Sequence, residues 1–338
     1  MPDDCSKDKC VEVSGCRFFN GDAVKMSRLA LCEDSVDLII TDPPYGIEGD
    51  SLDKHYNRNE EYVVEGYVDV PAQDYADFSR AWIREAERVL RPGGSIYVVS
   101  GYTNLYHILD ALRDTSLQEI NHIIWKYNFG VFTRRKYVSS HYHILYYAKP
   151  GGERVFNLKS RYGLDERDDR GRSLNYADRE DVWLINREYK PGEAKNRNEL
   201  PKELLMKLMQ YSSDRGDLVC DFFLGGFSTA EVALGMDRDF VGFEISEGAF
   251  AHGLEKMSRI QRGSLISSLR RPKSGEKRHN RGKPWSEEEL DRLARRFEGL
   301  LAEGYSKRDA VEMIGKELGR GRFGIQYALR RARPSRRD

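Results

Sequence analysis

Short apolar runs alternate with helix-spaced segments along the first 260 or so residues. Arg17 to Asn20 reads as a short strand ending at Gly21-Asp22. Val36 to Thr41 is largely apolar with β-branched residues, as in a strand buried on both faces. It stops at Asp42-Pro43-Pro44-Tyr45, because proline cannot continue a central strand. Asp74 to Leu90 spaces Phe78, Trp82, Ile83, Ala86, Val89 and Leu90 for one helical face, and Arg91-Pro92-Gly93-Gly94 predicts a turn before a strand at Ser95 to Ser100. Thr103 to Arg113 predicts a helix, and Glu119 to Tyr127 and His141 to Lys149 predict two strands. A helix opens at Leu200 or Pro201, with proline in its first turn. Strand Asp217 to Asp221, helix Ser228 to Leu234, strand Phe240 to Glu244 and helix Glu247 to Ile260 follow. Such alternation implies right-handed crossovers and a mainly parallel sheet, an α/β fold.

Three stretches break the pattern. Residues 48 to 73 are polar and rich in tyrosine, which predicts a long functional loop. Gly151 to Asn198 is charged and shows no clear period. Residues 263 to 284 read as a Ser/Arg/Lys/Gly-rich linker. Beyond it, Ser286 with Glu289 three residues later marks a helix start, followed by Leu290, Leu293, Phe297, Leu300 and Leu301 at helical spacing. A second helix carries Ala310, Val311 and Ile314, and a third, after Gly319-Arg320-Gly321-Arg322, carries Ile325, Ala328, Leu329, Arg330 and Arg331. Residues 285 to 333 are thus expected to form a small helical domain.

Charge sharpens this division. The net charge is zero over 338 residues, yet from Arg270 onward 20 Lys/Arg stand against 11 Asp/Glu, a balance of +9 that leaves −9 for the rest. A basic tail on an acidic body suggests an anionic partner. No run approaches the ~20 apolar residues of a membrane helix, and the N-terminus lacks the basic and apolar regions of a secretory signal. A cytoplasmic protein that does not engage a membrane is expected. The five cysteines, an odd number, show no paired metal spacing, so no metal is expected.

Two constellations carry chemistry. Asp42 to Tyr45 lies at the carboxyl end of a buried strand, where open α/β sheets bind ligands. An aromatic amine is a poor nucleophile, since its lone pair is delocalised into the ring. The Asp42 carboxylate and the Pro43 carbonyl could accept its two N–H bonds, favouring a pyramidal nitrogen with its lone pair directed outward. Pro43 and Pro44 would preorganise those acceptors, and Tyr45 could stack on a flipped base. The plainer alternative is a strand ending in a proline turn. The second constellation runs from Asp221 through Phe222, Phe223, Gly225, Gly226, Ser228 and Thr229 to Glu244. A glycine turn between strand and helix lets a ligand approach the backbone, and an acid at the end of the next strand can hold ribose hydroxyls.

At these residues the chain resembles the amino-methylating DNA methyltransferases, which make N6-methyladenine or N4-methylcytosine. The similarity spans roughly residues 15 to 260. Asp42 to Tyr45 matches their catalytic motif [DNS]-PP-[YFW]. Asp221, Phe223, Gly225 and Thr229 match their cofactor motif D-P-F-x-G-S-G-T-T, while Phe222, Gly226 and Phe227 replace proline, serine and the last glycine. Phe227 is expected to crowd the methionine end of the cofactor. Asp22 resembles the acid near the cofactor adenine, and Asn198 and Leu200 resemble the cofactor-side motif before the glycine loop.

The resemblance implies a Rossmann-like S-adenosylmethionine-dependent methyltransferase sheet, mostly parallel with one antiparallel strand, over residues 15 to 262. The motif order implies the permuted β subgroup, with target recognition within 151 to 197. S-adenosylmethionine would be held by Asp22, Asp42, Asn198, Leu200, Asp221, Phe222, Phe223, Gly225, Gly226, Ser228, Thr229 and Glu244. Asp at the first motif position leans towards adenine. C5 methylation of cytosine is disfavoured, since no cysteine follows a proline.

The C-terminal helices resemble Myb-like or homeodomain-like helix-turn-helix modules, which place a basic last helix against double-stranded DNA. That implies DNA contacts at Arg320, Arg322, Arg330 and Arg331; the plainer alternative is a small bundle with a solvated face. Arg134, Arg135 and Lys136 could clamp phosphates or form a solvated charge run. A cognate restriction enzyme and a homodimer are possible partners. Competing activities are cytosine N4 methylation, RNA amino-methylation, and DNA binding by a chain with impaired catalysis.

Overall fold

A computed structural model of the chain describes residues 10–46, 70–128, 134–187, 199–273, 280 and 283–332. It divides into two compact units, Met1–Pro272 and Lys273–Asp338.

The first unit is built on a nine-stranded sheet of order β1-β2-β9-β8-β3-β4-β6-β5-β7. Its strands are β1 Cys10–Val13, β2 Cys16–Asn20, β3 Val36–Thr41, β4 Leu90–Ser100, β5 Gln118–Lys126, β6 His141–Ala148, β7 Val182–Leu184, β8 Leu218–Asp221 and β9 Asp239–Glu244. β2, β9, β8, β3 and β4 run parallel. β6 is antiparallel to both of its neighbours, β4 and β5, and is the expected reversed strand. A second reversed strand, β1, pairs with β2 at one edge.

Helices α1 Ala23–Ala30, α2 Tyr75–Val89 and α3 Leu105–Arg113 accompany one apolar cluster. Helices α5 Lys202–Ser212, α6 Ser228–Gly235 and α7 Glu247–Ser258 accompany the other. Alternation along the strands explains the two layers: in β3, Val36 and Ile39 join the first cluster while Leu38 and Ile40 join the second. Both faces of β3 are covered, so almost its whole length had to be apolar.

Two expectations change. Arg91 to Gly94 is part of β4 and not a turn: Gly93 N–H donates to Lys149 O and Lys149 N–H to Gly94 O. The Pro-Gly-Gly signal marks an irregularity, since the β3–β4 register shifts between Val36↔Leu90 and Leu38↔Ser95. The expected linker, in turn, begins inside the first unit. Leu265 N–H bonds Gly235 O, Gln210 bonds Arg270 O, and the Arg270 guanidinium stacks on Tyr162 while pairing with Glu166.

The patternless segment after Gly151 is held by polar groups. The Asn175 amide donates to Leu158 O and Tyr162 O, and Asp178 gathers the Arg161 guanidinium and the Tyr211 hydroxyl. It contains one short helix, α4 Leu174–Asp178. Of the long loop expected at 48 to 73, residues up to 69 lie outside those described, as do 188 to 197 of the expected recognition segment.

The second unit comprises helices α8 Glu287–Ala302, α9 Lys307–Glu317 and α10 Arg322–Ala332 around Leu293, Phe297, Leu300, Ile314 and Ile325. Ser286 and Glu289 form the expected reciprocal cap on α8.

Candidate active site

Residues 42–46 leave β3 at its carboxyl end, beside the ends of β4 and β8. Their backbone is fixed by side chains from elsewhere. The Tyr75 hydroxyl donates to Pro44 O at 2.7 Å, and the Asn104 amide donates to Tyr45 O at 2.5 Å. Neither residue belongs to the motif, and nothing in the sequence pattern ties Tyr75 or Asn104 to it.

The Tyr45 hydroxyl bonds the Asp42 carboxylate, but Asp42 Oδ1 is buried and has no hydrogen-bond partner among the described residues. Burial pushes the Asp42 carboxyl up to about 8. The Tyr45 bond and the Arg187 charge act against that rise, and the Asp221 charge adds to it. Such an oxygen is costly to leave unmatched, so it marks where a donor is meant to arrive.

An aromatic wall stands beside it. Tyr45 stacks on Tyr142 with centroids 5.8 Å apart, and Tyr142 stacks on Trp125 at 5.4 Å and packs on Tyr127 at 5.6 Å. Tyr142 and Trp125 come from the paired strands β6 and β5. The sequence placed Tyr45 against a base; in the fold it also has a protein partner.

The second constellation forms the β8–α6 loop, whose side chains mostly face inward. Asp221 is 3% exposed and accepts from Thr41 Oγ1 (2.9 Å), Phe223 N–H (3.0 Å) and the Thr229 hydroxyl. Burial raises its pKa to about 7, against these three donors. It therefore ties the loop to the end of β3. Phe222 and Phe223 pack on Trp82, and Leu200 and Ser228 are buried. Gly225 has φ +49°, and its N–H donates to Glu244 Oε2 at 2.9 Å. Glu244 Oε1 accepts Ser246 N–H at 2.8 Å. A Cβ on Gly226 would lie 2.1 Å from Glu199 Oε1, so only glycine fits there. Asp22 caps α1 by accepting Lys25 N–H at 2.9 Å. Asn198 lies outside the described residues.

Phe227 does not crowd this loop. Its backbone keeps a left-handed φ of +60°, while its fully buried ring packs on Phe18 at 5.2 Å and Phe250 at 6.1 Å. The ring fills space opened by Gly253, where a Cβ would lie 2.2 Å from it. The left-handed conformation costs about 1–2 kcal/mol, which burial of a phenylalanine, about 1.5–3 kcal/mol, offsets.

The basic residues separate into two groups. Arg134, Arg135 and Lys136 are exposed, as are Arg322, Arg330 and Arg331. Arg320 is 4% exposed: it donates to Lys283 O and Pro284 O, pairs with Glu289 at 2.7 Å and stacks on Trp285 at 4.2 Å. Its role is structural, which corrects its expected place at DNA; the Gly-Arg-Gly-Arg repeat concealed a difference in burial.

The DNA methylase family of N6/N4 type matches residues 36–255, which hold both loops. The chain belongs to this family. N6/N4 methylases are S-adenosylmethionine-dependent amino-methyltransferases of DNA, and membership alone leaves open which base is modified. Similar proteins include the type II methyltransferase M.HpaI of Haemophilus parainfluenzae, 29% identical over 225 residues, covering 64% of this chain and 66% of that protein. M.BamHI of Bacillus amyloliquefaciens is 29% identical over 245 residues, covering 68% of this chain and 54% of that protein. The chain thus spans between half and two thirds of these relatives. Among solved structures, a DNA modification methylase of Thermus thermophilus complexed with S-adenosyl-L-methionine is 25% identical with TM-score 0.50, over 72% of this chain and 93% of that one. The cytosine-N4-specific PvuII DNA methyltransferase shares the fold, with TM-score 0.54 at 14% identity over 77% of this chain and 95% of that one.

Proposed function

We propose that this methylase transfers a methyl group from S-adenosylmethionine to the exocyclic amino group of a base in double-stranded DNA, adenine N6 in preference to cytosine N4. The observation that carries the proposal is the buried, unmatched Asp42 Oδ1 at the end of β3, bonded through its carboxyl group to Tyr45.

The residues present fit the cofactor. Each Glu244 oxygen holds one main-chain N–H and keeps acceptor capacity for ribose hydroxyls. Asp22 caps α1 through Oδ1, leaving Oδ2 for the adenine end. The Gly225-Gly226 backbone offers close approach before the α6 N-terminus, which favours a carboxylate. Asp221, Phe222, Ser228 and Thr229 shape this loop from behind, and Leu200 supports it from the core. When bound, the cofactor supplies an electrophilic methyl on a sulfonium.

Asp42 accepts one N–H of the target amine, and the Pro43 carbonyl accepts the other. Among the described residues no hydrogen bond reaches that carbonyl, whereas those of Pro44 and Tyr45 are already bonded. A donated N–H favours the ionised form of Asp42 and draws its pKa back towards neutrality. As positive charge develops on nitrogen, the same carboxylate is placed to take the departing proton. The aspartate at the first motif position supports adenine.

For duplex DNA the support comes from the second unit. Helix α10 exposes Phe323 (73%) and Tyr327 (61%) beside Arg322, Arg330 and Arg331. A helix face combining cations with exposed aromatics suits phosphates and base edges. Arg134, Arg135 and Lys136 would add phosphate contacts. No helix among the described residues is long and apolar enough to cross a membrane; a cytoplasmic location, a restriction partner and a homodimer remain proposals.

The test is mass spectrometry of nucleosides from DNA incubated with the protein and methyl-labelled S-adenosylmethionine, beside Asp42→Ala. Label in N6-methyladenine that vanishes with the variant supports the full proposal. Label in N4-methylcytosine overturns the base, and cofactor binding without label in DNA overturns the substrate.

A further inference from the structure

Arg187 is not part of either motif. It follows β7, which pairs in parallel with β5 through Ile124↔Val182, Trp125↔Trp183 and Lys126↔Leu184, so the chain emerges at the motif end of the sheet. Two bonds anchor its approach: Ile185 N–H donates to Lys126 O at 3.1 Å, and Trp125 Nε1 donates to Ile185 O at 2.8 Å. The guanidinium then lies 5.0 Å from the Tyr127 ring centre, 5.1 Å from Tyr142 and 5.9 Å from Trp125. Those are the rings against which Tyr45 stacks, and Tyr45 bonds Asp42. Among the described residues no carboxylate lies in ion-pair reach of Arg187, and its Nε is buried without a hydrogen bond. The charge is therefore held by aromatic faces and not neutralised by an acid.

We propose that Arg187 is a positioning residue of the methyl-transfer site, a cation fixed on the Trp125–Tyr127–Tyr142 wall that keeps Asp42 in its hydrogen-bond-accepting form. The inference rests on the proposed role of Asp42. The groups that act on Asp42 come from three elements. Tyr45, on its own loop, donates a hydrogen bond. Asp221, at the end of β8, repels its charge, and Arg187, after β7, attracts it. Burial and Asp221 oppose ionisation, so a nearby cation decides how much carboxylate exists at neutral pH. Guanidinium suits the place because it is planar, stays charged and stacks on rings.

The test compares wild type, Arg187→Lys and Arg187→Gln in two measurements. In pH profiles of kcat/KM on DNA, Arg187→Gln should move the rising limb to higher pH, losing roughly threefold to tenfold at pH 7 and recovering at pH 9. Arg187→Lys should keep the limb near wild type. In a thermal double-mutant cycle with Asp42→Asn, Arg187→Gln should lower Tm more in wild type than in Asp42→Asn at pH 9, and equally at pH 5. An unmoved limb together with a cycle that is flat in pH overturns the inference, as does a Lys variant that shifts as far as Gln. Methylation surviving in Asp42→Asn would instead sink the proposed role of Asp42, which the Arg187 variants do not test.

Discussion

At Asp42 to Tyr45 the backbone is fixed from outside, by the Tyr75 hydroxyl and the Asn104 amide, and one buried oxygen is left unmatched. At Asp221 to Phe227 it is fixed from within: Asp221 gathers three donors, Glu244 takes the Gly225 and Ser246 amides, and Phe222 and Phe227 fill the space beneath. The first loop keeps its family letters and withholds a hydrogen bond; the second departs from them and is satisfied throughout. What a cofactor loop must preserve is its backbone path, which Phe227 does at φ +60°, whereas a catalytic loop must preserve the chemistry of particular atoms.

The contrast can be broken at four points. Asp42→Ala should cost about 100- to 1000-fold or more in methyl incorporation, the scale of removing one preorganised polar group from a reacting centre. It should leave cofactor affinity nearly intact, as isothermal titration would show. Gly253→Ala should act the other way round. Its Cβ meets the Phe227 ring, overpacking that costs about 1–3 kcal/mol. It should lower Tm and weaken cofactor binding, and adding Phe227→Leu should restore both; failure to restore would disprove the interlock.

A pH effect follows from Asp42. Its folded pKa, about 8, lies above the usual aspartate value, so its contribution to stability is complete below about pH 4 and is lost as pH rises through about 8. Asp42→Asn should therefore melt close to wild type at pH 4 and above it at pH 9 by calorimetry, stability gained where activity is lost. Last and smallest, Tyr75→Phe removes one hydrogen bond to Pro44 O, worth about 1 kcal/mol, and should lower kcat about fivefold with little change in Tm.

Much of this was legible because it is local. β3 and β6 declare themselves by apolar runs, α8 by Ser286 and Glu289, and both loops by letters whose spacing serves one turn of chain. The sequence failed where the cause is distant. Tyr75 and Asn104 reach the motif across 31 and 59 residues, and Arg187 finds its rings only after β7 has joined β5. Arg91 to Gly94 misled because proline and glycine punctuate turns and strand irregularities alike. The segment after Gly151 showed no period because hydrogen bonds from Asn175 and Asp178, not an apolar stripe, organise it.

The burial of Arg320 has a practical consequence for anyone dissecting the protein. Its guanidinium is fastened to the carbonyls of Lys283 and Pro284 and lies on the Trp285 ring, all upstream of α8. A fragment cut at the first helical residue would strip this arginine of its acceptors and its aromatic platform, leaving a cation facing apolar neighbours. The excision point for a self-standing helical piece therefore lies before Lys283, several residues earlier than its helices suggest.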